Sequence, residues 1–261
     1  MEKRARITLT RGELLRERPF TLSLSAGFFG FYAHTGFLFA LEEQDVVPSS
    51  LIGASAGSLA GGLWASGISA HEIEAELRGL RRRDFWDLGF PVGGLLKGER
   101  FARYLDELLA RRNVHYFYEC VIPFHSVVFD LVSRKTRLIS KGIVADAIRA
   151  SCALPLMFRP VRIGWRLYLD GGIRDRAAIT GTQEGQLRVL HYLPQQSPWS
   201  KFKSRQSMDP TDLRNKSEIL ALPKLPKVGP FHLRRGLDAL EKVRRVTRAW
   251  LQEPVKINSY E

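Results

Sequence analysis

The amino-acid sequence predicts an α/β fold in which a parallel sheet is covered by helices. Two consecutive units carry this prediction. In the first, residues 21–25 alternate apolar and small polar side chains like a strand, and a loop at 26–30 leads into the helical pattern of 31–43. In the second, the apolar run 46–52 leads through a turn into residues 57–65, which are compatible with a helix. Repeated strand-loop-helix units are typical of parallel sheets.

The length and composition are those of a globular protein. The 261 residues suffice for one large α/β domain or for two small ones. With 44% hydrophobic and 26% charged residues, the chain is not disordered in general. Because neither an internal repeat nor a second core is visible, we predict an N-terminal extension (1–19), a core domain (20–195) and a basic C-terminal segment (196–261) packed on the same domain.

The net charge is strongly positive. The chain has 40 Lys and Arg residues against 27 Asp and Glu, a formal charge of +13. This balance favours polyanionic partners, either anionic lipid or nucleic acid, although a basic face is often only solvated. Since the basic residues are not interleaved with aromatic residues in a recognisable motif, an anionic membrane surface is the expected partner and nucleic acid is the weaker choice.

Cysteine usage and hydropathy indicate the cellular compartment in which the protein is expected. The 2 cysteines form no disulfide framework, and no Cys/His spacing suggests a metal site, so we expect no metal and no cofactor. The charged residues 1–18 are not followed by the apolar region of a signal peptide. No run approaches the ~18 apolar residues of a membrane span. We expect a cytoplasmic protein, soluble or peripheral at a membrane.

The remaining elements follow from local patterns. The predicted order is a helix at 70–80, a surface loop at 81–98, a helix at 99–112, two strands within 121–140 around a polar turn at 133–136, a helix at 143–152, a strand end at 168–169 and a strand at 187–193. Residues 194–230, rich in Pro, Lys, Arg and Ser, read as a surface excursion or a partly disordered segment.

A basic amphipathic helix is predicted at 232–251. Its apolar residues recur along one side, and Lys and Arg occupy the others. Such a helix either lies on an anionic membrane or packs its apolar side against the sheet. The sequence leaves both possibilities open.

The most informative stretch is Gly-Ala-Ser-Ala-Gly at 53–57, at the predicted strand-to-helix turn. A sharp turn of this kind strains the residue at its apex and requires neighbours almost without side chains. Gly53 and Gly57 provide that room, and Ser55 would project its hydroxyl as a nucleophile. The alternative is that Ser55 only caps the helix.

A serine nucleophile needs a base, and the sequence offers two kinds. Asp170 follows an apolar strand and precedes two glycines, so we expect its carboxylate at the carboxyl edge of the sheet; alternatively, Asp-Gly-Gly is simply a turn. A Ser-His-Asp triad would instead use His191 or His232, the histidines that follow Asp170. His191 lies in an apolar strand pattern and His232 opens the basic helix, so neither position favours catalysis.

The loop at 25–30 is the third candidate part of the site, after the nucleophile and the base. A glycine-containing loop between a strand and a helix can aim N–H groups at an oxyanion. This loop, the Gly-Ala-Ser-Ala-Gly turn and Asp-Gly-Gly follow one another along the chain, each at the end of a predicted strand. With these motifs the sequence resembles the patatin-like phospholipase family over roughly residues 20–173. The stretch 147–161 is similar to the Ala-Ser-x-Ala-x-Pro-x-x-Phe-x-Pro pattern of that family.

The resemblance implies a three-layer α/β/α fold with a mainly parallel sheet. It also implies a Ser55–Asp170 dyad without histidine, and an oxyanion hole formed by the backbone of Ala26, Gly27 and Phe28. Ser25 and Ala26 depart from the glycines of the commonest family pattern. The expected substrate is a lipid ester, a phospholipid or lysophospholipid. A His-completed esterase and a non-catalytic, basic lipid- or nucleic-acid-binding protein of the same fold are the alternatives.

Overall fold

The computed structural model describes residues 8–85, 87, 94–182, 186–194, 217–222 and 224–256. The strands are β1 (Thr8–Thr10), β2 (Phe20–Leu24), β3 (Ser50–Ala54), β4 (Phe124–Asp130), β5 (Lys135–Ile139), β6 (Val161–Ile163), β7 (Arg166–Asp170), β8 (Leu187–Tyr192), β9 (Ser217–Ala221) and β10 (Pro254–Lys256). The helices are α1 (Arg11–Glu17), α2 (Phe31–Glu42), α3 (Ala56–Ala65), α4 (Ala70–Gly79), α5 (Arg82–Phe85), α6 (Glu99–Ala110), α7 (Val144–Ser151) and α8 (Arg234–Gln252).

The central sheet has the strand order β6-β7-β4-β3-β2-β8-β9, and β5 also pairs with β4. Five neighbouring strands of this sheet are parallel to one another: β4, β3, β2, β8 and β9. In contrast, β5, β6 and β7 are joined by antiparallel pairings. The predicted α/β fold with a mainly parallel sheet is therefore confirmed.

The main core lies between one face of the sheet and the helices. Leu22, Leu24 and Leu51 point from the sheet into this core, where they meet apolar residues of the helices. A smaller cluster on the other face joins Ile52 of β3 to Ala178 and to the side chain of Leu138 on β5. Side chains of successive strand residues point to opposite faces, which explains the two clusters.

The ends of β3 and β7 meet on one edge of β4. Residues 126–130 of β4 pair with β5 along one edge. The other edge pairs with β3 as far as Val127, opposite Ala54, and with β7 from Val128 onward, opposite Asp170. Since β3 and β7 run in opposite directions along this edge, their last residues face each other. This register places the residue after Ala54 beside Asp170.

Several predicted boundaries need correction. The predicted strand at 46–52 begins only at Ser50, after Pro48, which lacks the N–H that a ladder requires. The polar turn lies at 131–134 and not at 133–136, so Lys135 and Thr136 already belong to β5. A further strand, β9, pairs with β8 inside the segment predicted as a surface excursion. Residues 195–216 of that segment lie outside the described residues.

The predicted amphipathic helix is present as α8, and its apolar side packs on α2. Leu240, Val243 and Trp250 are buried there. The helices approach so closely that a Cβ at Gly36 of α2 would lie 2.1 Å from the carbonyl oxygen of Leu240. Of the two possibilities left open by the sequence, the structure shows packing, mainly against the helix α2. These apolar residues are not available to a membrane.

The first and last described segments are joined. β1 pairs antiparallel with β10. The Arg11 guanidinium donates to Glu218 of β9, to Glu253 and to the carbonyl of Trp250. Residues 8–17, which fall within the predicted N-terminal extension, thus pack against the C-terminal part of the chain. Among the helices of the described residues, none combines the length and apolarity that a bilayer-spanning segment requires.

Candidate active site

Ser55 occupies a strained turn between β3 and α3. Its backbone has φ 53° and ψ −118°, a conformation that L-residues rarely adopt. A Cβ at Gly53 would lie 2.5 Å from the carbonyl oxygen of Gly57, and a Cβ at Gly57 would lie 2.1 Å from that of Leu24. Only glycine fits either position, as the sequence pattern indicated.

The Ser55 hydroxyl donates a hydrogen bond directly to Asp170. The distance between Ser55 Oγ and Asp170 Oδ2 is 2.6 Å. Both residues are buried, Ser55 with 9% and Asp170 with 2% of its surface exposed. The structure therefore brings together the two residues that were predicted as nucleophile and base.

Asp170 reaches this position on an antiparallel strand. Asp170 is the last residue of β7, so its side chain emerges at the C-terminal end of that strand. β7 runs antiparallel to β4, and its end meets the C-terminal end of β3 on the shared edge of β4. The direction of β7 was not predicted, because sequence patterns do not report strand direction.

The Asp170 carboxyl has a raised pKa. Burial raises it to about 6, although the hydrogen bonds from Ser55 and the Gly172 N–H and the charge of Arg176 act in the opposite direction. The Gly172 N–H lies 2.7 Å from Asp170 Oδ1, so it fixes the carboxylate while Oδ2 faces the serine. A carboxyl with this pKa is ionised at neutral pH and still basic enough to accept a proton.

Two residues that the sequence reasoning did not single out hold the backbone of Ser55. The Ser55 N–H donates to Ser151 Oγ at 2.8 Å, and this hydroxyl donates to the carbonyl of Val127 at 2.6 Å. The Cys152 Sγ donates to the carbonyl of Ser55 at 3.3 Å. Burial raises the pKa of the Cys152 thiol, which stays protonated. Both residues fall in the stretch 147–161, the signal that could have pointed to them.

The loop after β2 lies beside the serine. Gly27 and Phe28 line the same pocket as Ser55. Within the described residues, their N–H groups donate to no acceptor, and they are free to bind an oxyanion. The Ala26 N–H, the third predicted donor, instead donates to the carbonyl of Arg176 at 2.7 Å. Ala26 is therefore committed to holding the loop and not to the oxyanion.

The histidines considered for a triad lie elsewhere. His34 Nε2 donates to the carbonyl of Ser25 at 2.8 Å, so its Nδ1 must accept from His191 Nδ1 at 2.9 Å. Both rings are fully buried, and His232 is exposed. In the described part of the chain, no histidine is hydrogen-bonded to Ser55 or Asp170. The alternative of a Ser-His-Asp triad finds no support in this geometry.

An apolar pocket opens above Ser55. Its polar side chains are few, among them Ser55, Thr35, Glu76 and Cys152. The aromatic residues after β2 divide between this wall and the core: Phe28, Phe29 and Phe31 line the pocket, and Tyr32 and Phe37 are buried. The further lining residues include Leu59, Leu63, Ile68, Ile73, Leu77, Leu80, Leu96, Phe101, Tyr104, Leu108, Leu154, Met157 and Phe158.

A buried carboxylate, a strained serine and an apolar pocket together fit acyl transfer from an ester. The serine can attack a carbonyl whose acyl chain occupies the pocket, and the free loop amides lie on the same wall. Within the described residues, no group of His, Cys, Asp and Glu side chains is placed to hold a metal ion.

Comparisons with known proteins identify a family and a fold. A family model described as patatin-like phospholipase matches residues 22–181. An uncharacterised NTE family protein of Mycobacterium tuberculosis is 30% identical over 157 residues, which are 59% of this chain and 42% of the relative. The protein named lysophospholipase NTE1 of Debaryomyces hansenii is 25% identical over 153 residues, 56% of this chain and 10% of the relative.

The chain thus spans less than half the length of these curated relatives. Among solved structures, VipD from Legionella pneumophila superposes with a TM-score of 0.63 and 13% identity, over 92% of this chain and 68% of that chain. At this identity the likeness shows a common fold.

Proposed function

The chain belongs to the patatin-like phospholipase family, and from this premise we propose that it is a serine acyl hydrolase that cleaves carboxylic esters of lipids with a Ser55–Asp170 dyad. The main support for this proposal is the 2.6 Å hydrogen bond from Ser55 Oγ to Asp170 Oδ2 on the wall of an apolar pocket. The name of the Debaryomyces hansenii relative, lysophospholipase, supports the same class of substrate.

In the first half of the reaction, Asp170 takes the hydroxyl proton as Ser55 Oγ attacks the ester carbonyl. The negative charge that develops on the carbonyl oxygen is bound by the N–H groups of Gly27 and Phe28. When the carbon-oxygen ester bond breaks, Asp170 returns the proton to the leaving alcohol. The acyl group remains on Ser55 as an ester.

In the second half, water replaces the alcohol. Asp170 accepts a proton from the water, which attacks the acyl-serine carbonyl, and the same amides bind the second oxyanion. Collapse releases the fatty acid, and Ser55 regains its proton from Asp170. Both halves need an ionised Asp170 at the start, and its pKa of about 6 provides this at neutral pH.

The pocket supports lipid rather than polar esters. Its lining is almost entirely aliphatic and aromatic, so it favours a long acyl chain over a charged or hydroxylated group. Phospholipids and lysophospholipids are therefore the proposed substrates. Family membership and the pocket support this choice.

The direct test is release of fatty acid from lysophosphatidylcholine and from phospholipid vesicles. We expect turnover by the wild type and a loss of about 10³-fold or more in Ser55→Ala, because the nucleophile is removed. Ser140→Ala is the matched control, since Ser140 is exposed and lies after β5, outside the pocket lining. Undiminished turnover in Ser55→Ala, or none by the wild type on either lipid, would refute the proposal.

A further inference from the structure

Two exposed leucines stand next to each other beside the pocket. Leu95 is 57% and Leu156 is 70% exposed. The Leu95 N–H donates to the carbonyl of Leu156 at 3.1 Å, so the two segments that carry them are directly bonded. Single exposed leucines are ordinary on protein surfaces, but two on adjoining segments form an apolar patch.

The same two segments build the wall of the pocket. Leu96 and Met157, the residues that follow the exposed leucines, both line the pocket, and the Leu96 N–H donates to the carbonyl of Met157 at 2.8 Å. Each segment thus turns one apolar residue inward and the preceding one outward. Leu154, two residues before Leu156, is partly exposed and also lines the pocket. The exposed leucines therefore lie on the outer side of this wall, and the partly exposed Leu154 and Met157 connect them to the pocket lining.

Leu156 is exposed in an unfavourable conformation. Its φ is 66°, in the left-handed region that is costly for a bulky L-residue. The N–H groups of Met157 and Phe158 both donate to the carbonyl of Leu154 and hold the turn in this shape. A strained backbone that presents a leucine to water points to a function for that side chain outside the folded chain.

The chain segment that carries Leu95 is basic. Residues 81–103, which include the pocket segment and the start of α6, have six Lys and Arg against three Asp and Glu. One of the three, Asp87, is bound by the N–H groups of Gly98 and Glu99 at 2.9 and 2.7 Å. The six cations, all of them exposed, are Arg81, Arg82, Arg83, Lys97, Arg100 and Arg103. Cations beside an apolar patch match a surface with anionic head groups over hydrocarbon.

We propose that Leu95 and Leu156 are the points at which this protein inserts into an anionic lipid bilayer. The inference rests on the proposed function, because phospholipids, the proposed substrates, lie in bilayers. Contact at these leucines places the pocket opening on the bilayer, and the acyl chain enters the pocket without crossing water. This face contacts the membrane in place of α8, because the apolar side of α8 is covered by α2.

The test measures binding without turnover. Ser55→Ala protein is sedimented with vesicles of phosphatidylcholine and phosphatidylglycerol, and with vesicles of phosphatidylcholine alone. We expect binding that is stronger on the anionic vesicles. Adding Leu95→Glu and Leu156→Glu should weaken it about tenfold or more, because two apolar anchors become anions.

A matched control replaces another exposed apolar residue. Val47 is 61% exposed and precedes β3, at the end of the sheet opposite Ser55, so Val47→Glu should bind vesicles like the parent. A second variant, Leu156→Gly, keeps the test decisive if the double glutamate variant does not fold. Glycine adopts a positive φ at little cost, so this variant should unfold no earlier than the parent and still bind less tightly, by about threefold or more.

Equal binding by the parent and the leucine variants would overturn the proposal. Failure of the parent to bind either kind of vesicle would also overturn it. Because the Ser55→Ala background performs no turnover, neither result bears on the acyl hydrolase proposal, which the fatty acid assay tests separately.

Discussion

At the scale of single residues, the site depends on the raised pKa of Asp170 and on the backbone conformation of Ser55. Burial keeps the carboxyl of Asp170 a better base than an exposed aspartate, with its pKa raised to about 6. The positive φ of Ser55 presents its hydroxyl to that base. In our proposal these two conditions replace the histidine of a triad, because a base of suitable pKa already contacts the nucleophile.

The pKa of Asp170 predicts the pH dependence of turnover. The base must be ionised, so kcat/KM should fall as pH drops through about 6 and level off at higher pH. Burial lowers the pKa of His34 to about 4 and that of His191 well below its usual value, so neither buried ring titrates in this range. The check is kcat/KM for a monomeric ester between about pH 5 and pH 8. A flat profile would contradict Asp170 as the base.

Ser151 predicts a positioning effect. In Ser151→Ala the buried N–H of Ser55 loses its acceptor, at a cost of about 1–3 kcal/mol that favours relaxation of the strained turn. We expect kcat to fall about 10–100-fold with KM little changed. Ser66→Ala is the control, because it removes another buried hydroxyl, which donates to Gly62, away from the site. A similar loss of kcat in both variants would contradict a specific role for Ser151.

At the scale of elements, the site is assembled by strand pairing and helix packing that local patterns do not encode. β7 and β3 share one edge of β4, and this register sets the meeting of Asp170 with Ser55. On the other side of the core, α8 packs on α2 at Gly36. The loop at 25–30 leads into α2, so this packing also holds the loop in place beside Ser55.

The contact of α2 with α8 can be tested at Gly36. Alanine in a helix is normally favoured over glycine by about 1 kcal/mol. At Gly36, however, the new methyl would lie 2.1 Å from the carbonyl oxygen of Leu240, so Gly36→Ala should destabilise the protein by about 2–4 kcal/mol. Gly79→Ala is the matched control, since a Cβ there meets nothing within 4 Å.

Thermal or urea unfolding of the two glycine variants gives the answer. We expect Gly79→Ala to leave stability unchanged or to raise it by at most about 1 kcal/mol. Gly36→Ala with the stability of the wild type would show that the helices are not in the described contact.

At the scale of the whole molecule, much could be predicted from sequence. The α/β fold was predicted correctly because each strand-loop-helix unit is a local pattern. The pairing of Ser55 with Asp170 followed from motif order and the family resemblance, and their catalytic roles stay a prediction. The antiparallel direction of β7, the strand β9 in a polar, proline-rich segment and the contacts of Ser151 depend on residues distant in sequence. No local pattern could have supplied them.

The joining of the first and last segments predicts a long-range effect on stability. Arg11 is mostly buried, contacts Glu218 and Glu253, and lies 4.5 Å over the Trp250 ring. Arg11→Ala should lower the free energy of unfolding by about 2 kcal/mol, because it leaves Glu218 partly buried without its partner. Arg18→Ala, at an exposed position, should change it by less than about 0.5 kcal/mol. Equal urea midpoints for the two variants would contradict this role.

The dyad is tested by labelling with a fluorophosphonate, followed by mapping of the modified residue by mass spectrometry. We expect one adduct on Ser55 in the wild type, labelling slowed by about 10²-fold or more in Asp170→Asn, and an unchanged rate in His232→Ala. An adduct on another serine, or labelling of Asp170→Asn at the wild-type rate, would contradict a Ser55–Asp170 dyad.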